Sequence, residues 1–305
     1  MNARGAIYAG TAAILYGSAY VATAIALRSF TPLTIGAWRG LAGAALVMVL
    51  VLAAGMRTTL PRRLDRATAW RLGVLGLVGG AIFVVAINAA VALIGASVTA
   101  FVAGLYAVTA AILAVPVLGE RLERSTLVAL LAALVGTALL AEVQPGEETV
   151  LGIGLALLAA LCFGLFLVLS RRWGTAHGLT GPLVGLATLT ISGVLCLLLA
   201  LAAGQPMVPD AARLDAVIAT GWIAVAPGAA GQVLVVAGMR RLEARYASAM
   251  LLLNPPTAAI LSVLLLGQGL TPVQLVGAAA VLVAIAFASG IVGHRRHPYS
   301  RGRVV

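Results

Sequence analysis

The sequence predicts an all-α integral membrane protein with ten transmembrane helices, arranged as two inverted five-helix repeats. Three observations support this fold class. First, the 305 residues are 62% hydrophobic and 10% charged, whereas soluble proteins carry about 25% charge. Second, residues 105–129 and 253–277 resemble each other. Third, arginine-rich and arginine-poor segments alternate along the chain. Lipid is therefore expected to surround most of the surface.

The spans follow from the lengths of the apolar segments. A helix needs about 20 apolar residues to cross a bilayer, and charges and Gly/Pro turn signals divide the chain into ten such segments. The segment after Arg4 is interpreted as the first span rather than a signal peptide, because similar segments follow it. We number the segments span one to span ten, near residues 5–27, 33–54, 69–92, 97–118, 126–142, 150–170, 182–203, 215–238, 246–266 and 272–292.

The arginines predict the orientation. All 20 basic residues are arginine, and basic residues are enriched in cytoplasmic loops. With a cytoplasmic N-terminus, the outer segments contain only Arg28 and Arg213. Apart from Arg39 inside span two, the other arginines lie in cytoplasmic segments or at cytoplasmic span ends. Both termini are therefore predicted to be cytoplasmic. The net charge of +11 indicates anionic lipids at that face rather than nucleic acid, because the arginines form no single solvated domain.

This topology can be tested with cysteine labelling. A cysteine placed in loop 143–149 should react with a membrane-impermeant reagent in intact cells, because the loop is predicted to lie outside. Cys162 and Cys196 lie inside apolar segments and are not expected to react, so the unsubstituted protein is the negative control for labelling. Labelling of a cysteine added at the C-terminus from outside would contradict the topology.

The repeat defines the domain organisation. Residues 109–113, Thr-Ala-Ala-Ile-Leu, return as residues 257–261. Because each half has an odd number of spans, the second half must be inverted. We assign residues 1–143 to the first repeat, 149–292 to the second, and 293–305 to a basic cytoplasmic tail. Repeated transmembrane halves are typical of transporters, because two symmetry-related states provide alternating access.

Short motifs recur at the same places in both halves. An aromatic–glycine pair occurs in spans one and six, Tyr16-Gly17 and Phe163-Gly164. Short connections precede spans four and nine at 95–100 and 243–248, and span four ends in Leu-Gly-Glu-Arg at 118–121. The order of these motifs over about residues 5–292 resembles the pattern of the drug/metabolite transporter superfamily, and within it that of the EamA family. The resemblance implies a ten-helix inverted repeat that moves small metabolites, often amino acids, usually outward.

Three positions depart from the family pattern. Gln268 stands where the family has glutamate, and Tyr16 stands where many relatives have tryptophan. Span four lacks the proline expected at Ala107 or Val108, whereas span nine keeps Pro255-Pro256. The two halves are therefore expected to differ in flexibility more than the family pattern implies.

The substrate site is expected near mid-bilayer, where helices are broken. Asn254, followed by Pro255 and Pro256, lies about 14 Å into span nine. The prolines lack N–H groups, so the carbonyls at 251 and 252 lose their usual partners and could accept from a substrate ammonium. A simple kink is the alternative. Tyr106 is the inverted counterpart of Asn254 in the first repeat. We expect it to contact substrate, and core packing is the alternative.

Further polar residues complete the candidate set. An amide in span three or eight either bonds to a neighbouring helix, which we favour, or faces the cavity. Arg39 could bind a substrate carboxylate, but snorkelling or bonding to backbone carbonyls is favoured. The spacings Gly36–Gly40 and Gly76–Gly80 predict close helix contacts. The predicted substrate-binding residues are Asn254, Tyr106, Tyr16, Tyr20, Asn88, Gln232, Trp222 and Arg39, and the predicted hinges are Pro255, Pro256, Gly17 and Gly164.

Other function classes fit the sequence less well. No P-loop, catalytic triad, dinucleotide fingerprint or zinc spacing is present, so no cofactor or metal is expected. The histidines lie in loops or the tail, and the nine acids lie near span ends or in loops. An integral-membrane enzyme is disfavoured because it would need such side chains clustered at membrane depth. A cationic-drug exporter is disfavoured because it would need a carboxylate inside the membrane. The sequence predicts an exporter of a small metabolite in the bacterial inner membrane, without an intramembrane carboxylate relay. Homo-oligomerisation is left open.

Overall fold

The protein is an assembly of helices. The computed structural model describes residues 3–53, 65–119, 128, 131–132, 135–136, 138–140, 147–177, 179–208, 213–231, 234 and 253–288. In chain order the helices are α1 (Ala3–Ala26), α2 (Pro32–Ala53), α3 (Arg66–Gly76), α4 (Phe83–Ile94), α5 (Ala96–Ala103), α6 (Tyr106–Leu118), α7 (Glu147–His177), α8 (Gly181–Ala202), α9 (Leu214–Ile223), α10 (Asn254–Leu266) and α11 (Pro272–Ala288). π-helical segments follow α3 at Leu77–Ile82 and α9 at Ala224–Ala230.

The lengths of these helices fit a membrane protein. Six helical segments are long and apolar enough to cross a bilayer, at Ile7–Ala26, Pro32–Ala53, Arg66–Ile94, Ala96–Leu118, Glu147–Gly174 and Gly181–Ala202. Shorter apolar helices cover Leu214–Ala230, Asn254–Leu266 and Pro272–Ala284. The residues described between 128 and 140, in predicted span five, are helical, and the described part of the chain contains no strand. The all-α membrane class is confirmed.

Span six is longer than the sequence predicted. The prediction ended it near residue 170, at the arginine pair, whereas α7 runs from Glu147 to His177. Arginine is a good helix former, so Arg171 and Arg172 end the apolar segment without ending the helix. The helix therefore continues past the apolar segment.

Span four is broken although it lacks a proline at 107 or 108 and its only proline, Pro116, lies near the end of the span. Its first part, α5, ends at Ala103, and α6 begins at Tyr106 after Gly104 and Leu105. Both α6 and α10 contain 13 residues, and each ends at a left-handed glycine, Gly119 with φ 72° and Gly267 with φ 66°. Only glycine adopts this conformation without strain. The half-helices of the two repeats therefore begin and end at equivalent positions.

The sequence analysis did not predict the two π segments, which also lie at equivalent positions in spans three and eight. The second contains Pro227, which has no N–H to donate. There the N–H of Gly231 bonds to the carbonyl of Ala226, five residues earlier. The π register thus accommodates a proline inside the span.

Glycine spacings produce the predicted close helix contacts. A Cβ at Gly40 would lie against the backbone of Gly193 and 2.6 Å from the carbonyl oxygen of Leu189. A Cβ at Gly80 would lie 2.7 Å from the carbonyl oxygen of Thr188. The predicted role of Gly36–Gly40 and Gly76–Gly80 is confirmed, since α2 and span three approach α8 closely at these positions.

The aromatic–glycine pairs join the two repeats. A Cβ at Gly17 would lie 2.7 Å from the carbonyl oxygen of Asn254, so α1 packs closely on α10. A Cβ at Gly164 would meet Thr109 Oγ1 and would lie 2.9 Å from the backbone nitrogen of Ala110, so α7 packs closely on α6. Span one thus meets span nine as span six meets span four, which is the relation expected for inverted repeats.

The described acidic residues lie where helices begin. Asp65 caps α3, and hydrogen bonds from Thr68 lower the pKa of its carboxyl. Glu147, Glu148 and Asp215 lie in the first turns of α7 and α9, where the helix dipole favours negative charge. The other acids lie outside the described residues: Glu120, Glu123, Glu142, Asp210 and Glu243.

Polar contacts connect the two repeats at the face predicted to be external. Arg28 Nη1 lies 2.8 Å from Asp215 Oδ2. The backbone N–H of Arg213 donates to Ser29 Oγ at 3.0 Å, and Trp38 Nε1 donates to the carbonyl of Met207 at 2.9 Å. The turn after α1 is thereby fixed to the region around the start of α9.

Candidate functional site

Two half-helices begin where the predicted site lies. Tyr106 is the first residue of α6 and Asn254 is the first residue of α10. Both side chains are buried, with 9% and 7% of their surface exposed. Helix N-termini carry a partial positive charge, although the N–H groups of Ala107, Val108 and Thr109 in α6 already donate to the carbonyls of Gly104 and Leu105. In transporters, such interrupted helices form substrate sites at the centre of the bilayer.

Asn254 carries an unpaired acceptor. Its Oδ1 is buried and has no hydrogen-bond partner among the described residues. The neighbouring backbone carbonyl of Leu253 is satisfied, since the N–H and the hydroxyl of Thr257 both donate to it, at 3.1 and 2.7 Å. A buried amide oxygen without a donor is costly, so Asn254 is suited to accept a hydrogen bond from a bound molecule.

The predicted hinge prolines start α10. Pro255 and Pro256 occupy its first turn, where a missing N–H costs nothing. Pro255 is buried and Pro256 is partly buried. The carbonyls at 251 and 252, which we expected to accept from a substrate, lie outside the described residues.

Arg39 lies next to a group of tyrosines. It is in the second turn of α2, about 10 Å along the helix from Pro32, and it is only partly buried. It interacts electrostatically with Tyr16 and Tyr20, and both of these tyrosines also interact with Tyr106. The structure thus brings together four predicted site residues from spans one, two and four.

The Nε atom of Arg39 is buried and unpaired. No hydrogen bond joins it to any described residue, so the backbone bonding that we favoured for Arg39 is not seen there. The backbone of Arg39 lies close to the π segment of span eight, since its carbonyl oxygen would lie 3.8 Å from a Cβ at Gly228. A buried N–H without an acceptor is costly, which suits the Nε atom of Arg39 to donate a hydrogen bond to an anion.

Aromatic rings adjoin the tyrosines. The ring of Phe163 meets Tyr106 edge-on, with centroids 5.0 Å apart and an interplanar angle of 85°. Phe163 also lies 5.0 Å from Phe83 and 5.6 Å from Phe166. The sequence analysis did not select Phe83 or Phe166, because phenylalanine is common in apolar spans. The only local signal was the position of Phe83 shortly after Gly79-Gly80.

The remaining candidates lie elsewhere. Asn88 is 2% exposed, and its Nδ2 donates to the carbonyl of Pro32 at 3.1 Å, which is the helix–helix bond that we favoured. Trp222 is 47% exposed, and its Nε1 donates to Ser18 Oγ at 3.0 Å. Gln232 lies outside the described residues. The described residues contain no group of three or more histidine, cysteine, aspartate or glutamate side chains that could bind a metal.

Comparisons with known proteins agree with this architecture. A model of the EamA-like transporter family matches residues 3–141 and 150–290. An uncharacterized transporter of Clostridium kluyveri is 23% identical over 257 residues, which cover 78% of this chain and 80% of that protein. The threonine/homoserine exporter RhtA of Escherichia coli is 28% identical over 134 residues, 44% of this chain and 43% of the exporter. A solved crystal structure superposes with a TM-score of 0.69 at 19% identity, covering 95% of this chain and 99% of that one.

Proposed function

The chain belongs to the EamA-like transporter family, and on this basis we propose that it exports a small metabolite such as an amino acid. Export by alternating access would use the two inverted repeats described above. We place the protein in the bacterial inner membrane with both termini in the cytoplasm. Anionic lipids are then expected at the arginine-rich cytoplasmic face.

One observation supports an amino-acid-like substrate above the others. The proposed site contains a buried donor and a buried acceptor, Arg39 Nε and Asn254 Oδ1, and neither has a partner among the residues that the structure describes. An amino acid carries a carboxylate that can accept from the first and an ammonium that can donate to the second. The name of the Escherichia coli relative, a threonine/homoserine exporter, supports the same substrate class.

The helix contacts suggest how the site opens to each side. Gly17 and Gly164 let spans one and six pack closely on spans nine and four, against Thr257 in span nine and Thr109 in span four. The broken helices α6 and α10 begin near these contacts. We propose that rocking about these glycines, with Pro255 and Pro256 at the start of α10, alternates access to the central site.

A cationic-drug exporter is the second candidate. It would need a carboxylate within the bilayer to bind the cation, and the described acids lie at helix starts instead. An enzyme is disfavoured because the family and the named relatives are transporters.

The export proposal is tested by comparing metabolite retention. Cells that lack the protein should retain the exported amino acid inside, and cells that overproduce it should release more into the medium. A strain that overproduces the Asn254→Leu variant is the matched control, because its membrane contains the same amount of overproduced protein. Equal amino acid pools in all three strains would contradict the proposal.

Energy coupling gives a further expected result. We expect substrate to move down its own gradient, without a carboxylate proton relay. In proteoliposomes with a clamped membrane potential, a pH gradient of about two units, worth about 1.4 kcal/mol per unit, should drive no uphill accumulation. Accumulation that collapses with an uncoupler would contradict this result and would point to tyrosine, arginine or water as the proton carrier.

A further inference from the structure

We propose that a cavity at the face predicted to be external binds a small oxyanion that carries an apolar group. The cavity has a volume of about 400 Å³. Arg28, just after α1, and Gln268, just after α10, provide its polar side chains, and Gly95 between α4 and α5 also lines it. This outer cavity shares no residue with the candidate site around Asn254 and Arg39, so the inference goes beyond the proposed export function.

Gln268 and Gly95 approach each other across the outer cavity. A Cβ at Gly95 would lie 3.7 Å from Gln268 Oε1. Gly95 has a φ of 75°, which favours glycine, so the connection between α4 and α5 adds no side chain here. Its backbone is already bonded, since the N–H donates to the carbonyl of Val91 and the carbonyl accepts from Thr99. The polar character of the cavity therefore comes from Arg28 and Gln268.

Arg28 gives the outer cavity a positive charge. Its Nη1 lies 2.8 Å from Asp215 Oδ2, but Asp215 Oδ1 also lies 3.1 Å from Arg213 Nε. Two guanidinium groups thus share one carboxylate, which leaves one positive charge uncompensated in this group. The lining contains no acidic residue. An oxyanion can therefore bind to the remaining donors of Arg28, because a guanidinium presents several N–H groups in one plane.

Gln268 keeps the outer cavity open to an anion. Glutamate, which the family pattern has at this position, would place an acceptor for Arg28 in the same cavity as Arg28 itself. The amide of Gln268 is neutral, and its NH₂ group is a further donor for an oxyanion. The departure from the family pattern thus removes the negative charge that would repel the ligand.

The rest of the lining selects the apolar part of the ligand. These residues are Ala24, Leu27, Val91, Ala92 and Leu93. Each methylene group buried against such a surface favours binding by about fourfold, so an inorganic anion would use only half of the cavity. A short-chain carboxylate in solution and the head group of an anionic phospholipid share the chemistry that the cavity fits.

Protection of a cysteine measures whether the outer cavity is occupied. Ala92→Cys places a thiol in the lining at an exposed position, whereas Cys162 and Cys196 are buried. The variant is reconstituted in phosphatidylcholine vesicles, and its rate of reaction with a membrane-impermeant maleimide is measured. Val208→Cys, which is exposed and lies outside the cavity lining, is the matched control.

Three probes distinguish the charge from the apolar group. Hexanoate should slow the labelling of Ala92→Cys in a saturable way and leave Val208→Cys unchanged. Butanoate has two methylene groups fewer and should need about a tenfold higher concentration for the same protection. Hexanamide has the chain without the charge, and it should also protect about tenfold more weakly than hexanoate, because hydrogen bonds to charged groups are the stronger ones.

Lipid composition distinguishes the two sources of the oxyanion. If a head group fills the outer cavity, phosphatidylglycerol in the vesicles should slow the labelling of Ala92→Cys relative to Val208→Cys, and hexanoate should add little. If the ligand is a free carboxylate, phosphatidylglycerol should leave this ratio unchanged. Adding Gln268→Glu to Ala92→Cys should remove the protection in both cases, since it introduces a negative charge without changing the shape of the side chain.

Several results would overturn the oxyanion site. One is that neither hexanoate nor phosphatidylglycerol protects Ala92→Cys, and another is that hexanamide protects as well as hexanoate. Protection that persists after Gln268→Glu would also contradict it, and so would a thiol at position 92 that never reacts, because the cavity would then be closed to solvent. The probe comparison keeps Gln268 unchanged, so the inference can fail even if the Gln268→Glu variant does not fold. Metabolite release from cells is measured separately and tests export alone.

Discussion

Asn254→Leu should reduce transport to the background rate while leaving the protein folded and as stable as the parent. The Oδ1 atom of Asn254 is buried and unpaired among the described residues, so the fold gains nothing from it. Leucine has the same branched shape and the same number of side-chain heavy atoms, and replacing an unsatisfied buried polar group by an apolar group of the same shape is nearly neutral or stabilising. The loss of transport would therefore come from the substrate contact alone.

Two measurements check this expectation. Transport is followed in proteoliposomes at matched protein content, and stability is followed as the melting temperature in detergent. Val263→Leu on the exposed side of the same helix should change neither quantity. If the Asn254→Leu variant transports substrate at the wild-type rate, the binding site lies elsewhere. A large fall in melting temperature would instead make Asn254 a structural residue.

Gly40→Ala should destabilise the protein although alanine is the better helix former. A Cβ at Gly40 would collide with the backbone of Gly193 and lie 2.6 Å from the carbonyl oxygen of Leu189. Backbone cannot move aside as a flexible side chain can, so α2 and α8 must separate. Overpacking of this kind costs about 1–3 kcal/mol, more than the roughly 1 kcal/mol that alanine contributes to a helix. We expect a lower melting temperature and less protein in the membrane.

Gly73→Ala is the matched control, because it makes the same substitution in α3 with no atom within 4 Å of the new Cβ. This variant should be as stable as the parent or slightly more stable. Equal melting temperatures for the two variants would show that α2 and α8 are not in tight contact at Gly40. Gly40→Val should show a larger loss, since its methyl groups extend further.

Much of the fold was predictable because its determinants are local. Apolar segment length gave the positions of the spans, and α1, α2 and α8 end within a few residues of the prediction. The Asn-Pro-Pro sequence marked the start of α10. Span six was misjudged at its end, because a charged pair stops an apolar segment and does not stop a helix.

The sequence also identified polar side chains inside the spans but could not predict their partners. Asn88 and Asn254 are both buried amides in spans, yet Asn88 donates to the carbonyl of Pro32, whereas the Oδ1 of Asn254 has no partner among the described residues. Trp222 and Tyr16 are both aromatic residues with a polar atom, yet Trp222 lies largely on the surface. Which partner each side chain meets depends on how the helices rotate against one another.

By itself, the sequence determined that this chain is a helical membrane protein with a repeated half and that a helix begins at Asn254, because hydropathy, proline and repetition are properties of the linear chain. The tertiary structure alone decided that Arg39 interacts electrostatically with Tyr16 and Tyr20, that rings gather around Phe163, and that span four breaks at Gly104 without a proline at the break. The physical reason is that lipid and protein interior are both apolar. A spanning helix therefore lacks the polar stripe that would mark its buried face, and close packing at small residues sets its rotation instead.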